Sequence, residues 1–265
     1  MTPACRRAIQ TIKKTTLSTV TLLLAVGCAN APPDDPLEPY NRAMFSFNEK
    51  TDALLVEPAA KVWVKVTPNV LRTWVSNFFG NIRDPWIGIN NILQGNPADG
   101  LNDIMRFVFN STLGIGGILD IASEAQMPKH DKDFGQTLGV WGVKEGPYVV
   151  LPFFGPRTMR DAIVLPIDTT AENPLMASFR TPLIQDSATR YVLMVTKGLN
   201  ARANVLGLER TLDEATLDKY RYARDFYLQQ RRYKVFGDSA LPQYENFDDD
   251  GETNPPTPPS TGEKR

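Results

Sequence analysis

Two cysteines, Cys5 and Cys28, and a single histidine, His130, are the whole supply of thiol and imidazole in this chain. One histidine excludes a multi-histidine metal cluster. No Gly-x-Ser-x-Gly elbow exists to present a serine nucleophile. His130 lies in Pro128-Lys-His-Asp-Lys132, which reads as an exposed loop. Asp133-Phe-Gly135 spells a kinase motif without the other kinase elements. Gly114-Ile-Gly-Gly-Ile-Leu119 begins like a dinucleotide loop, but Leu119 fills the third glycine position and no strand precedes it. Asn110-Ser-Thr112 fits a glycosylation sequon at a helix end, where it carries little meaning. These residues offer no catalytic set, no metal set and no cofactor site, so the expectation is a protein that is not an enzyme. Cys28 is different: it closes an apolar run behind the small-residue stretch Ala25-Val26-Gly27.

The segment before Cys28 has the build of an export signal. Residues 1–16 carry Arg6, Arg7, Lys13 and Lys14 and no acid, and a mostly apolar run follows from Leu17. That run is too short to span a bilayer. Its end, Leu24-Ala-Val-Gly-Cys28, resembles the lipobox of bacterial lipoprotein precursors. The resemblance implies cleavage after Gly27 and acylation of Cys28, and Ala29 in the next position implies outer-membrane sorting. No later stretch approaches eighteen apolar residues, so an acyl-anchored body at a membrane face is expected.

Composition is that of a folded chain. Hydrophobic residues make up 42% and charged residues 22%, with 29 Lys+Arg against 30 Asp+Glu for a net charge of −1. This excludes a disordered chain and a polybasic nucleic-acid binder. Of the 21 prolines, four fall in residues 29–39 and four in 248–265. The divisions are a signal peptide at 1–27, a Pro-rich leash at 28–40, a helical domain at 41–237 and an acidic Pro-rich tail at 238–265. Residues 248–265 contain no apolar side chain and read as disordered.

Within the body the apolar period is helical, and the class is mainly α. Thr67-Pro68 opens a helix carrying Val70, Leu71, Trp74, Val75 and Phe78. Asn96-Pro97 opens another, with Leu101, Ile104, Met105, Val108 and Phe109 in one stripe and Phe107 outside it, beside Asp103. Asp84-Pro85 reads as a further helix start. Residues 41–56 and 187–206 read as helices, the second stopped by Gly207, and a last one spans about 213–235 before Gly237. Only 147–153 looks strand-like.

Two segments suggest function. Leu113–Leu119 holds Gly114, Gly116 and Gly117 among Leu and Ile, which suits either a flexible membrane-facing gating loop or a tight buried connection. In the last helix Tyr222, Phe226 and Tyr233 share one side, while Arg221, Arg224, Arg231 and Arg232 share the roughly opposite sector. That pattern predicts aromatics docked on the body and guanidinium groups facing lipid phosphates or an acidic partner. Trp63, Trp74, Trp86 and Trp141 are either core residues or an interfacial belt.

Several passages, in order, resemble the MlaA (VacJ) family of outer-membrane lipoproteins. They are Asp35-Pro-Leu-Glu-Pro-Tyr-Asn-Arg-Ala-Met-Phe-Ser-Phe-Asn48, Asn77-Phe-Phe-Gly-Asn-Ile-Arg-Asp-Pro85 and Asn91-Ile-Leu-Gln-Gly95. Arg106–Asp120, Asp133–Pro152 and Gly155–Asp161 complete the set, which spans roughly 35–237. The resemblance implies a compact, ring-like helical body with an amphipathic channel, lying in the periplasmic leaflet of the outer membrane. It implies action beside a porin trimer: phospholipids misplaced in the outer leaflet are taken up and passed to a soluble periplasmic lipid carrier. That is retrograde transport supporting lipid asymmetry, with no nucleic acid involved. The alternative is an envelope scaffold lipoprotein that binds a porin without moving lipid; a phospholipase-like enzyme is more distant.

Overall fold

Glu38 and Pro39 in its first turn start helix α1, Glu38–Thr51, an acid and a fixed φ both suiting a helix amino end. The computed structural model describes residues 32, 35–174, 184, 186–207 and 218–237. The signal at 1–27, Cys28 and the tail at 238–265 lie outside the described residues. α1 runs through a π-helical turn, Asp52–Val56, into α2, Glu57–Val66. The helix expected at 41–56 therefore continues past its predicted end.

α3, Asn69–Leu93, is a single helix, which corrects the helix start expected at Asp84-Pro85. Pro85 lies in its interior. The proline withholds one backbone donor, yet the chain stays helical because residues on both sides are anchored to neighbouring elements. α4, Pro97–Thr112, follows a short turn and packs along α3. Their backbones approach closely at Gly88 and Gly100, where a Cβ on either would run into the other's carbonyl oxygen.

Two short helices come next, α5 (Ile121–Glu124) and α6 (Phe134–Val140), each capped by an aspartate, Asp120 and Asp133. The strand expected at 147–153 is present as β1, Tyr148–Leu151, paired antiparallel with β2, Gly155–Thr158. Thr158 then caps α7, Met159–Ala171. α8, Ser187–Val205, and α9, Lys219–Phe236, match the expected late helices. Residues 213–217 of the predicted last helix lie outside the described residues. Gly237 closes α9 at φ 63°, a left-handed value that suits glycine.

Asn41 and Asn48, two turns apart on one face of α1, fasten it to the hairpin. Asn41 donates to the Tyr148 carbonyl at 3.0 Å and accepts from Val150 N at 2.8 Å. Asn48 donates to the Leu151 carbonyl at 2.9 Å and accepts from Phe153 N at 2.8 Å. Around this seam lies a small aromatic core of Tyr148, Val150 and Tyr220, joined by Met44, Phe45, Tyr227 and Leu228.

Elsewhere the polarity is inverted. Asn90, Asn91, Asp103, Arg106, Asn110 and Thr137 are buried between helices. The apolar stripe of α4 points outward instead, with Leu101 59% exposed and Met105, Val108 and Phe109 also open. Val70, Leu71 and Trp74 of α3 are exposed as well. Phe107, outside the stripe, is half-buried, as is Ile104 at the edge of it. The sequence stripes are real, but most of their residues face away from the body, with Val75, Phe78 and Ile104 half-buried at the edge.

Candidate functional site

The buried side of α4 carries an ionic and amide network. Arg106, fully buried, donates through Nη2 to Asp120 at 2.9 Å and through Nη1 to the Met127 carbonyl at 2.5 Å. Asn110 donates to Asp120 at 2.9 Å and accepts from Ala122 N at 2.8 Å. Asn91 donates to Asp103 at 2.6 Å. The Pro128–Lys132 loop is exposed at Pro128, Lys129 and Asp131, as expected, but His130 within it is mostly covered, with Nδ1 2.9 Å from Asp103 Oδ1. Burial pushes the Asp84 carboxyl up to about 6, against the pull of Lys129 and Arg106.

This network forms the base of the glycine turn. Asn77 donates to the Ile118 carbonyl at 3.0 Å, and Gly117 N donates to the Asn110 carbonyl at 2.8 Å. A Cβ at Gly114 would strike the Leu119 and Asn110 carbonyls, and one at Gly117 would strike the Asn81 side chain. Gly116 and Gly117 both have positive φ, 68° and 88°. The tip is different. Leu113 and Ile115 stand out from it, Ile115 68% exposed and itself at φ 54°. The base is the tight connection that one of the two readings expected, and it carries an exposed apolar point.

The last helix departs from the expected orientation at its rings and at two of its four arginines. Tyr222, Phe226 and Tyr233 are exposed. Arg231 is buried, forking onto Asp133 with both contacts at 2.6 Å and reaching Asp161 at 2.7 Å. Arg224, also largely buried, lies 3.5 Å from Asp35 and 2.9 Å from Asp225. These two point into the body, not towards an outside partner. Arg221 and Arg232 remain on the surface, beside Asp218 and Glu145. The cause is the covered carboxylates of Asp35, Asp133 and Asp161, which draw Arg224 and Arg231 inward, while Tyr220 and Tyr227 supply the rings of the inner face.

Of the tryptophans, Trp74 and Trp141 are exposed, Trp141 by 55% with Nε1 bonded to the Leu93 carbonyl at 2.9 Å. Trp63 and Trp86 are half-buried, donating to Asn200 at 3.1 Å and Asp168 at 2.9 Å.

Where α1 and the π-turn face α9 there is a groove of about 810 Å³. Its apolar surface comes from Phe45, Ala53, Ala223 and Phe226, and its rim carries Glu49, Lys50, Asp52, Glu57 and Lys219. The size is in the range of small-ligand sites. Sequence reading missed it, because its two walls are about 170 residues apart; the available signal was Phe45, Glu49 and Ala53 at helical spacing with the Tyr222–Phe226 pair. The rings of that pair stack at 6.2 Å and 12°. Among the described residues no helix is long and apolar enough to cross a membrane, and no group of His, Cys, Asp and Glu is placed to hold a metal.

The family described as MlaA lipoprotein matches residues 33–234. The "Intermembrane phospholipid transport system lipoprotein MlaA" of Escherichia coli (strain K12) is 36% identical over 230 residues, 83% of this chain and 88% of that protein. The protein of the same description from Haemophilus influenzae is 30% identical, over 89% of this chain and 96% of its own. A solved structure described as "Structural basis for maintenance of bacterial outer membrane lipid asymmetry" superposes with a TM-score of 0.61 at 31% identity, covering 76% of this chain and 98% of that one. With its helical body matched almost from end to end, the chain belongs to the MlaA lipoprotein family.

Proposed function

We propose that this protein is an intermembrane phospholipid-transport lipoprotein that removes phospholipid misplaced in the outer leaflet of the outer membrane. The observation that carries this reading is the exposed apolar surface of α4 and of the first turns of α3, from Leu101, Met105, Val108, Phe109, Val70, Leu71 and Trp74, over a buried layer rich in Asn, Asp and Arg. A water-soluble scaffold would bury that surface. An exposed apolar surface of this extent suits lipid contact, and helices too short or too polar to span suit a position within one leaflet.

In this reading Cys28, freed by cleavage after Gly27, carries the acyl chains that hold the body in the periplasmic leaflet. Trp74, Trp141 and the apolar tip of the glycine turn sit in the same leaflet. The groove between α1 and α9 accepts acyl chains on its apolar wall and the headgroup at its charged rim. The turn at Gly114, Gly116 and Gly117 gates passage by displacement of its tip, the base staying tied to Asn77 and Asn110. Arg221 and Arg232 meet headgroups or an acidic partner, a porin trimer serves as the neighbour in the membrane, and a soluble periplasmic carrier takes the lipid away.

The test is to delete the gene and label accessible lipid amines on the cell surface. Outer-leaflet phospholipid should accumulate and return to normal on complementation. Unchanged surface lipid, with the porin still co-purifying, would instead establish the scaffold role.

A further inference from the structure

Charges at the groove divide into those already matched and those left over. Arg202 grips Asp52 through Nε at 2.8 Å and Nη2 at 2.7 Å. Lys61 meets Glu57 at 2.6 Å. Two polar groups of the lining are also spent: Asn48 on the hairpin backbone, and Tyr227 as donor to Asp161 at 2.9 Å. Glu49 and Lys50, adjacent at the end of α1, line the same groove and form no ion pair with any described residue. One anion and one cation therefore stand together at the end of an apolar wall, with the exposed rings of Tyr222 and Phe226 opposite.

We propose that this groove selects phospholipids with a zwitterionic headgroup, an ammonium joined to a phosphodiester, over anionic ones. The inference rests on the lipid-transport reading. Lys50 takes the phosphodiester, and Glu49 takes the ammonium, which can also lie against an aromatic face. An anionic glycerol headgroup offers Lys50 the same phosphate but gives Glu49 no cation, leaving two negative charges facing each other. Selection comes from that repulsion as much as from the attraction.

The experiment uses the full chain in non-ionic detergent micelles carrying a fluorescent phosphatidylethanolamine or phosphatidylglycerol with identical acyl chains. Wild type should bind the ethanolamine lipid roughly two- to fivefold more tightly, the range for one exposed ion pair. Glu49→Gln should remove the preference by strengthening binding of the glycerol lipid, and Glu49→Lys should reverse it. Lys50→Gln should weaken both lipids. Both positions are exposed, so thermal melting should be unchanged. Equal binding of the two lipids by wild type, unaltered by Glu49→Lys, overturns the selectivity and leaves the transport reading standing. Failure of wild type to bind either lipid overturns the transport reading itself. Ala223→Trp, which fills the groove, should abolish binding of both; undiminished binding would place the lipid elsewhere and overturn the proposal.

Discussion

Arg231 and Asp133 meet fork to fork, Nη1 on Oδ2 and Nη2 on Oδ1, both at 2.6 Å, across 98 residues of chain. Asp133 also caps α6, accepting from Gln136 N at 2.8 Å, and Arg231 continues to Asp161 at the start of α7. One guanidinium thus ties α9 to two helix starts. The guanidinium is held well above its usual range: burial opposes its charge, but the two carboxylates outweigh burial.

Removing that guanidinium leaves Asp133 without its cation and Asp161 with only Arg160, at 3.2 Å. Arg231→Ala should destabilise the body by about 3–5 kcal/mol, the cost of breaking a buried pair. The melting temperature should fall on the order of 10 °C. Arg221→Ala, at the surface, should leave melting where it is. Equal, small effects from both variants would mean that the interior pair contributes nothing.

Acid should act through the same pair. Burial opposes ionisation of Asp133, but Arg231 and the Gln136 donors hold its carboxyl at about 2. A carboxyl in the unfolded chain titrates near about 4. The stabilisation is therefore complete above about pH 4 and is lost as the pH falls towards 2. Asp84, at about 6 in the fold, works in the opposite sense: its contribution is present below about pH 4 and lost as the pH rises through 6. Melting temperature measured from pH 7 to pH 2 should rise and then fall. In Asp84→Asn the rise should shrink, since Asp168 and Glu172 are also pushed up by burial, while the fall persists.

The glycine turn offers a graded test. Gly116 and Gly117 share a positive φ, but only Gly117 has Asn81 where a Cβ would go. Gly116→Ala should cost about 1–2 kcal/mol for the left-handed backbone alone. Gly117→Ala adds overpacking of roughly 1–3 kcal/mol. Chemical denaturation in detergent measures the difference. The reverse order would show that the base yields more easily than the tip.

Cys28→Ser should abolish acylation without releasing all the protein from the membrane, since Leu101, Ile115 and Trp141 remain as an apolar surface. Envelope fractionation and mass spectrometry decide this. Acyl chains still present on this variant, or its complete recovery in the soluble periplasm, would each contradict the expectation.

Much of this was legible from residue order alone. Local signals located α4 from Asn96-Pro97, α8 up to Gly207, α9 up to Gly237 and the short β1, because caps, stops and periodicity are read from near neighbours. Local signals also misled. Asp84-Pro85 looks like a helix start, yet α3 passes through it, held by contacts that lie far away in sequence.

Periodicity states that one face of a helix differs from the other; it does not state which face looks inward. In α4 the stripe of Leu101, Met105 and Val108 determined an amphipathic helix, and in α9 the rings and the guanidinium groups did the same. Only the tertiary structure decided that the stripe of α4 and the Tyr222, Phe226 and Tyr233 rings of α9 lie outside, while Tyr220, Tyr227 and Leu228 of α9 join the core. It did so by placing Asp120 beside Arg106, and Asp133 and Asp161 beside Arg231. A buried charge costs several kcal/mol unless it is matched, so distant carboxylates determined the rotation of each helix. The groove was likewise invisible until folding set α1 against α9, because its Glu49, Lys50 and Phe226 belong to one surface only in three dimensions.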